Sequence, residues 1–183
     1  KLLGNNSNSS VSLDSEILLG KVIKKNREYL ILNSQTELPK VKTELFKSLV
    51  ERRKKVASFF LEAVNNCEWM IPQESINDAN HTYLTVGFKY LGEEQRSIKW
   101  KSFYDQYTSN GGDGFYSAWM NPYLENALNG KTFGDTLCKE GLCPIAEDLQ
   151  KKLMLFKTNY RNLEQAEYQA QLLSSLIDKI GRN

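Results

Sequence analysis

"TYLTVGFKYL" (82–91) alternates: Leu84, Val86, Phe88 and Tyr90 fall on one side, and Tyr83, Thr85, Gly87 and Lys89 on the other. Successive strand side chains point to opposite faces, so this stretch predicts a half-buried strand with one face on a core. Just before it, "CEWMIP" (67–72) reads as a short strand ended by proline. Just after it, Trp100, Phe103, Tyr104 and Tyr107 follow a helical period that predicts a helix over 99–109, stopped at Asn110-Gly111. Further out, Pro39 opens a helix running to about Asn65, with Val41, Leu45, Leu49, Val56, Phe60 and Ala63 along one stripe. The last helix carries the apolar seam Leu163, Ala166, Ala170, Leu173, Ile177 and Ile180, with Asn162 as its cap and Gln165 placed to reach back. Shorter helices are expected over 121–129 and 144–153. "REYLILN" (27–33) reads as a strand or edge segment, and the Asn/Ser-rich 4–16 as loop. The sum is an α+β fold, helices around a small, mostly antiparallel sheet.

Composition narrows the function classes. Hydrophobic residues are 40% and charged residues 25% of 183, the balance of a chain that buries a core in water. No apolar run approaches the roughly 20 residues of a membrane span. "KLLGNNSNSS" (1–10) offers neither an apolar signal core nor a cleavage-like site, so neither a membrane nor an export signal is expected, and the chain opens as though cut from something longer. The net charge is +2, and Arg52, Arg53, Lys54 and Lys55 spread around a helix beside Glu51 and Glu62. That arrangement predicts a solvated face and no nucleic-acid partner. Three cysteines (67, 138, 143) cannot all pair, which favours a reducing cytoplasm. A zinc site at Cys138 and Cys143 would need further ligands, and the single histidine, His81, is far away in sequence, so no metal is expected.

Few motifs carry chemistry. There is no P-loop, dinucleotide fingerprint or metalloprotease helix. His81 precedes a strand without a nucleophile partner and reads as a hydrogen-bonding loop histidine. "GGDG" (111–114) could aim backbone N–H groups at an anion, although Asp113 opposes a phosphate. Read as a turn, it would feed Phe115, Tyr116 and Trp119 into a core; read as a pocket wall, it would offer them to a ligand.

Several stretches in order resemble the C-terminal half of the DegT/DnrJ/StrS sugar aminotransferases. They are "LPKVKTELFKSLVERRKKVASFFLEAV" (38–64), "YLTVGFKY" (83–90), "WKSFYDQYTSNGGDGFYSAW" (100–119) and "CPIAEDLQKKLMLFKTNYRNLEQAE" (143–167). The resemblance implies the small C-terminal domain of a fold-type I aminotransferase over 39–183, with 1–38 a loop-rich remnant of the link to a missing large domain. It implies a dimeric, pyridoxal-phosphate-dependent transferase that moves an amino group onto nucleotide-linked keto sugars. The missing large domain or a homodimer partner would complete the site. No lysine in 1–183 matches the family's Schiff-base position, so no catalytic residue is assigned and the chain alone is expected to be inactive. Gln35, in "QTELP" (35–39), falls where the family contacts the cofactor phosphate, although Glu37 replaces its Arg. Gly112, Asp113, Tyr116, Trp119 and Asn121 fall where substrate would bind. The alternative is a non-catalytic remnant or partner-binding module of the same fold.

Overall fold

The computed structural model describes residues 9–74 and 80–182, with side chains from Glu16 onward. Helix α1 (Ser9–Ile23) buries Leu18, Leu19 and Val22 along one side. It stops where Lys24 turns left-handed (φ 58°) and the Lys25 N–H donates to the Gly20 carbonyl at 3.0 Å. A Cβ on Gly20 would lie 2.8 Å from the Lys25 carbonyl oxygen, so this tight reversal needs glycine. Helix α2 (Arg27–Leu32) begins at Asn26, whose Oδ1 accepts the Tyr29 N–H at 3.1 Å, and it buries Leu30. After 33–39, α3 (Lys40–Ala63) runs 24 residues, about 36 Å at the helical rise of 1.5 Å per residue.

The rest of the chain folds onto the far half of α3. Strands β1 (Met70–Pro72) and β2 (Thr85–Tyr90) are followed by α4 (Gly92–Arg96) and α5 (Trp100–Ser109). A 3-10 turn at Pro122–Leu124 leads to the small hairpin β3 (Thr132–Phe133) and β4 (Thr136–Leu137). Helix α6 (Pro144–Lys152), β5 (Leu153–Lys157) and α7 (Leu163–Ile180) complete the chain. The main sheet is antiparallel throughout, in the order β1-β2-β5. Phe88 opposes Met154 and Val86 opposes Phe156, so the buried side chains of both strands share a face.

That face meets α3, α5 and α7. Phe156 is its hub: its ring centroid lies 5.0 Å from Phe60, 4.8 Å from Phe115 and 5.6 Å from Phe88. Each such side chain contributes about 1.5–3 kcal/mol by leaving water. Polar staples fix the edges. Trp69 Nε1 donates to the Gly181 carbonyl at 2.7 Å, and the Arg182 guanidinium donates to the carbonyls of Ala63 and Asn65 at 3.1 and 2.7 Å, closing the end of α3. Among the described residues no helix is long and apolar enough to cross a membrane.

The α+β architecture and the strand at 85–90 agree with the sequence reading. Five local features differ from it. Residues 9–16 belong to α1 rather than to loop, and 1–8 lie outside the described residues. Residues 27–32 are helical, because Asn26 caps them and Leu30 turns inward. The segment 121–129 makes only a 3-10 turn and bends. Strand β5, which pairs with the central β2, was not foreseen. On α7, Glu164 rather than Gln165 shares the cap with Asn162, whose Oδ1 accepts the Glu164 N–H at 2.9 Å.

Candidate docking site

Where α1, α2 and the start of α3 meet, they enclose a groove of about 580 Å³. Leu19, Ile23, Leu30 and Leu38 give it an apolar floor, and Tyr29, Lys25 and Lys42 line its sides. Each wall has a local cause. The α1 reversal carries Lys25 across, with its Nζ 4.9 Å from the Tyr29 ring centroid. Lys42 reaches back from the first turn of α3, and its Nζ donates to the Val22 carbonyl at 3.0 Å, where α1 leaves carbonyls without helical partners. Pro39 fixes the entry to α3, whose first turn has neither a side-chain cap nor an acidic residue. The positive end of that helix therefore has no carboxylate from its own first turn beside the groove-lining Pro39, and only Glu37 of the preceding loop stands near it.

Charge gathers in the same place. Residues 16–42 hold six cations against three carboxylates, an excess of three in a chain whose total is +2. Glu16 is committed to Arg27, with Oε2 2.7 Å from Nε. Glu37 is the one carboxylate among the groove-lining residues. Close by, Leu32 is 83% exposed and Val41 79% exposed.

Gln35 stands on the wall of this groove, while the other sequence-predicted residues lie elsewhere, after α5. Gly112 packs on a ring, and a Cβ there would come 2.5 Å from Tyr107. Asp113 is held by three groups. Its N–H donates to Gln169 Oε1 at 2.8 Å, Tyr160 donates its hydroxyl to both carboxylate oxygens at 3.0 Å, and Lys157 Nζ lies 2.5 Å from Oδ2. Burial, reinforced by the Asp113 carboxylate, pushes the Tyr160 hydroxyl well above the usual tyrosine range. Gln169, buried on α7, also accepts from Tyr107 at 2.9 Å and donates to the Gly111 carbonyl at 3.2 Å. The glycine turn is thus clamped to the core, and Phe115 enters it. Tyr116 pairs its backbone with Leu155 yet is 60% exposed as a residue, and Trp119 is 92% exposed. The Asn121 side-chain N–H₂ is enclosed without a partner among the described residues.

A second polar knot was invisible in the sequence. Glu147, in the first turn of α6, accepts the Tyr123 hydroxyl at 2.7 Å and the N–H groups of Gly141 and Cys143 at 2.9 and 3.3 Å. Tyr123 above all, with the Gly141 N–H next, holds this carboxyl below the usual carboxylate range. The only hint was an acid four residues after Cys143, at a Pro-initiated helix. Elsewhere His81 accepts the Tyr83 N–H at Nδ1 (2.9 Å), a bond that fixes its loop to the start of β2. Among the described residues no group of three or more His, Cys, Asp or Glu is placed to hold a metal ion.

Residues 1–56 match the family model of the PrmC N-terminal domain. No curated protein matches the chain. The match spans α1, α2 and the first two-thirds of α3, and so crosses position 38/39, where the sequence reading placed the edge of its small domain. It overturns the DegT aminotransferase assignment. The stretch taken for a linker remnant is a helical unit with its own buried residues, and it resembles part of a methyltransferase-associated protein. The transaminase activity on nucleotide-linked keto sugars falls with that assignment, as does its degenerate-remnant variant. Pyridoxal phosphate falls as well. Gln35 lies between helices of this unit, beside Glu37, and not on a phosphate cradle.

Proposed function

We propose that the helical unit built on α1, α2 and the start of α3 is a protein-recognition module of a release-factor methyltransferase-like system, and that the groove is its contact site. The observation carrying this reading is the coincidence of the 1–56 match with the three helices that enclose the groove. A cytoplasmic setting belongs to the same proposal.

The family named by the match uses S-adenosylmethionine. The described residues do not fit that cofactor. Nucleoside cofactors commonly sit at the carboxyl ends of parallel strands, on a glycine turn that opens a helix. Here every strand pairs antiparallel. The glycine that follows β2, Gly92, packs against the Tyr90 ring at the start of a five-residue helix. No methyl-transfer step is therefore assigned to these residues, and the role proposed for the chain is to hold a partner.

The test is calorimetric titration of the whole chain with a purified translation release factor, and separately with S-adenosylmethionine. Saturable binding of the release factor is expected, with a dissociation constant in the micromolar range of about −8 kcal/mol, together with no heat from the cofactor. Absence of release-factor binding at 100-fold higher concentration overturns the recognition role, and tight cofactor binding overturns the division of labour.

A further inference from the structure

We infer that the groove selects an acidic segment of its partner, one that seats an apolar side chain on the floor while its carboxylates face Lys25, Lys40 and the open end of α3. This rests on the recognition role proposed above and specifies what is recognised. Shape and charge point the same way. The floor of Leu19, Ile23, Leu30 and Leu38 is apolar and lies at the bottom of a cleft large enough for a few side chains. Its rim belongs to the stretch that concentrates the chain's positive excess. The first turn of α3 adds the positive end of a 24-residue helix with no carboxylate of its own to neutralise it. An approaching acidic segment gains at the rim, whereas a basic one meets Lys25 and Lys42 with only Glu37 to offset them. Glu37 on the wall opposes the acidic occupant, and its single charge is outnumbered. The apolar floor supplies the anchor, since burying one leucine is worth about 1.5–3 kcal/mol. Charge alone would give a salt-sensitive contact without register.

Fluorescence anisotropy on the whole chain tests this with three short labelled peptides: one of Asp, Glu and Gly around a central Leu, one with that Leu replaced by Ser, and one with Lys in place of every acid. The first is expected to bind, the second about tenfold more weakly, and the third not at all. Raising salt from about 50 to 300 mM should weaken the first severalfold. The variants Lys25→Glu and Lys40→Glu should each weaken it about tenfold, because both side chains are exposed, Lys25 on the groove wall and Lys40 next in the chain to the groove-lining Pro39. Lys55→Glu carries the same charge change on the far half of α3, over the Phe59 ring, and should leave binding unaltered. Equal loss in all three variants would make the effect one of net charge and overturn the site. The intact release factor separates the two levels. If it binds, but neither the acidic peptide nor Lys25→Glu affects that binding, the acidic-groove inference fails and the recognition role stands. If nothing binds, both fail.

Discussion

The two halves of α3 follow one apolar period and end in different surroundings. In the far half, Val56, Ala57 and Phe60 are wholly enclosed, whereas in the near half Val41 is 79% and Leu45 45% exposed. The helix presents a stripe along its whole length. What differs is what the remaining chain brings to it. Strand β2 and α7 are laid against α3 in the body, and α1 is the element that reaches its near half. A stripe thus states which side of a helix seeks cover, and the topology decides whether cover arrives. Stability is concentrated in the body, and the exposed apolar surface and positive charge at the other end are left for a partner.

Removing the aromatic hub tests this most severely. Phe156→Ala takes away the ring shared by Phe60, Phe88 and Phe115, at an expected cost of about 3–5 kcal/mol. Urea unfolding of the whole chain measures it. A loss below about 1 kcal/mol would mean that the body is not where the fold's stability resides.

The clamp on the glycine turn comes next. Gln169→Leu keeps the volume on α7 but removes the acceptor for the Asp113 N–H and the donor for the Gly111 carbonyl. Stranding such groups in a partly buried site costs about 1–3 kcal/mol. The same variant should raise hydrogen exchange at Asp113, whose N–H is held by the Gln169 side chain rather than by a backbone carbonyl. Unchanged exchange there would sever the turn from the core.

A third region is held by neither apolar packing nor a partner. Glu147 ties Tyr123, Gly141 and Cys143 together through one carboxylate. Its folded pKa lies below its unfolded value, near 4.3 as in model peptides, so its stabilisation is present above about pH 4.3. It is lost as pH falls through the lower folded value. Melting temperature should therefore decline more steeply below about pH 4.5 in the native chain than in Glu147→Gln. Parallel profiles would leave the knot without a role in stability.

The legibility of the sequence follows the same divide. Strand β2 and helix α7 were readable because one face of each is polar and the period shows. Strand β5 was not, since Leu153, Met154, Leu155 and Phe156 are all apolar and conceal the alternation that burial reveals at Met154 and Phe156. Gln169 was missed because a polar residue within an apolar seam looks like a gap in it. It is buried for the two bonds it makes to a turn more than 50 residues away and a third that it accepts from Tyr107 of α5. At the amino end, Asn and Ser suggested loop, yet Gly20, Asn26 and Pro39 are the punctuation of two helices and the start of a third. Those three residues mark the helix boundaries, whereas the groove arises from how the helices pack and has no signature in the sequence. The family resemblance drawn from later stretches gave this segment the role of a linker instead.

The smallest expected effect is the one that most directly tests the contrast within α3. Valine and serine have similar helix propensities, so Val41→Ser changes little except the apolar surface at that position. If the near half of the stripe is uncovered in the free chain, as the exposure of Val41 states, unfolding free energy should move by no more than about 0.5 kcal/mol. Val56→Ala, in the same helix, removes a wholly enclosed side chain and should cost about 2 kcal/mol or more through lost burial and the cavity left behind. The ratio of the two losses is the useful number, because it cancels the behaviour of the helix itself. Should Val41→Ser cost as much as Val56→Ala, the near half would already be covered in solution. The groove would then have to be sought on a face that the chain, or another copy of it, does not occupy.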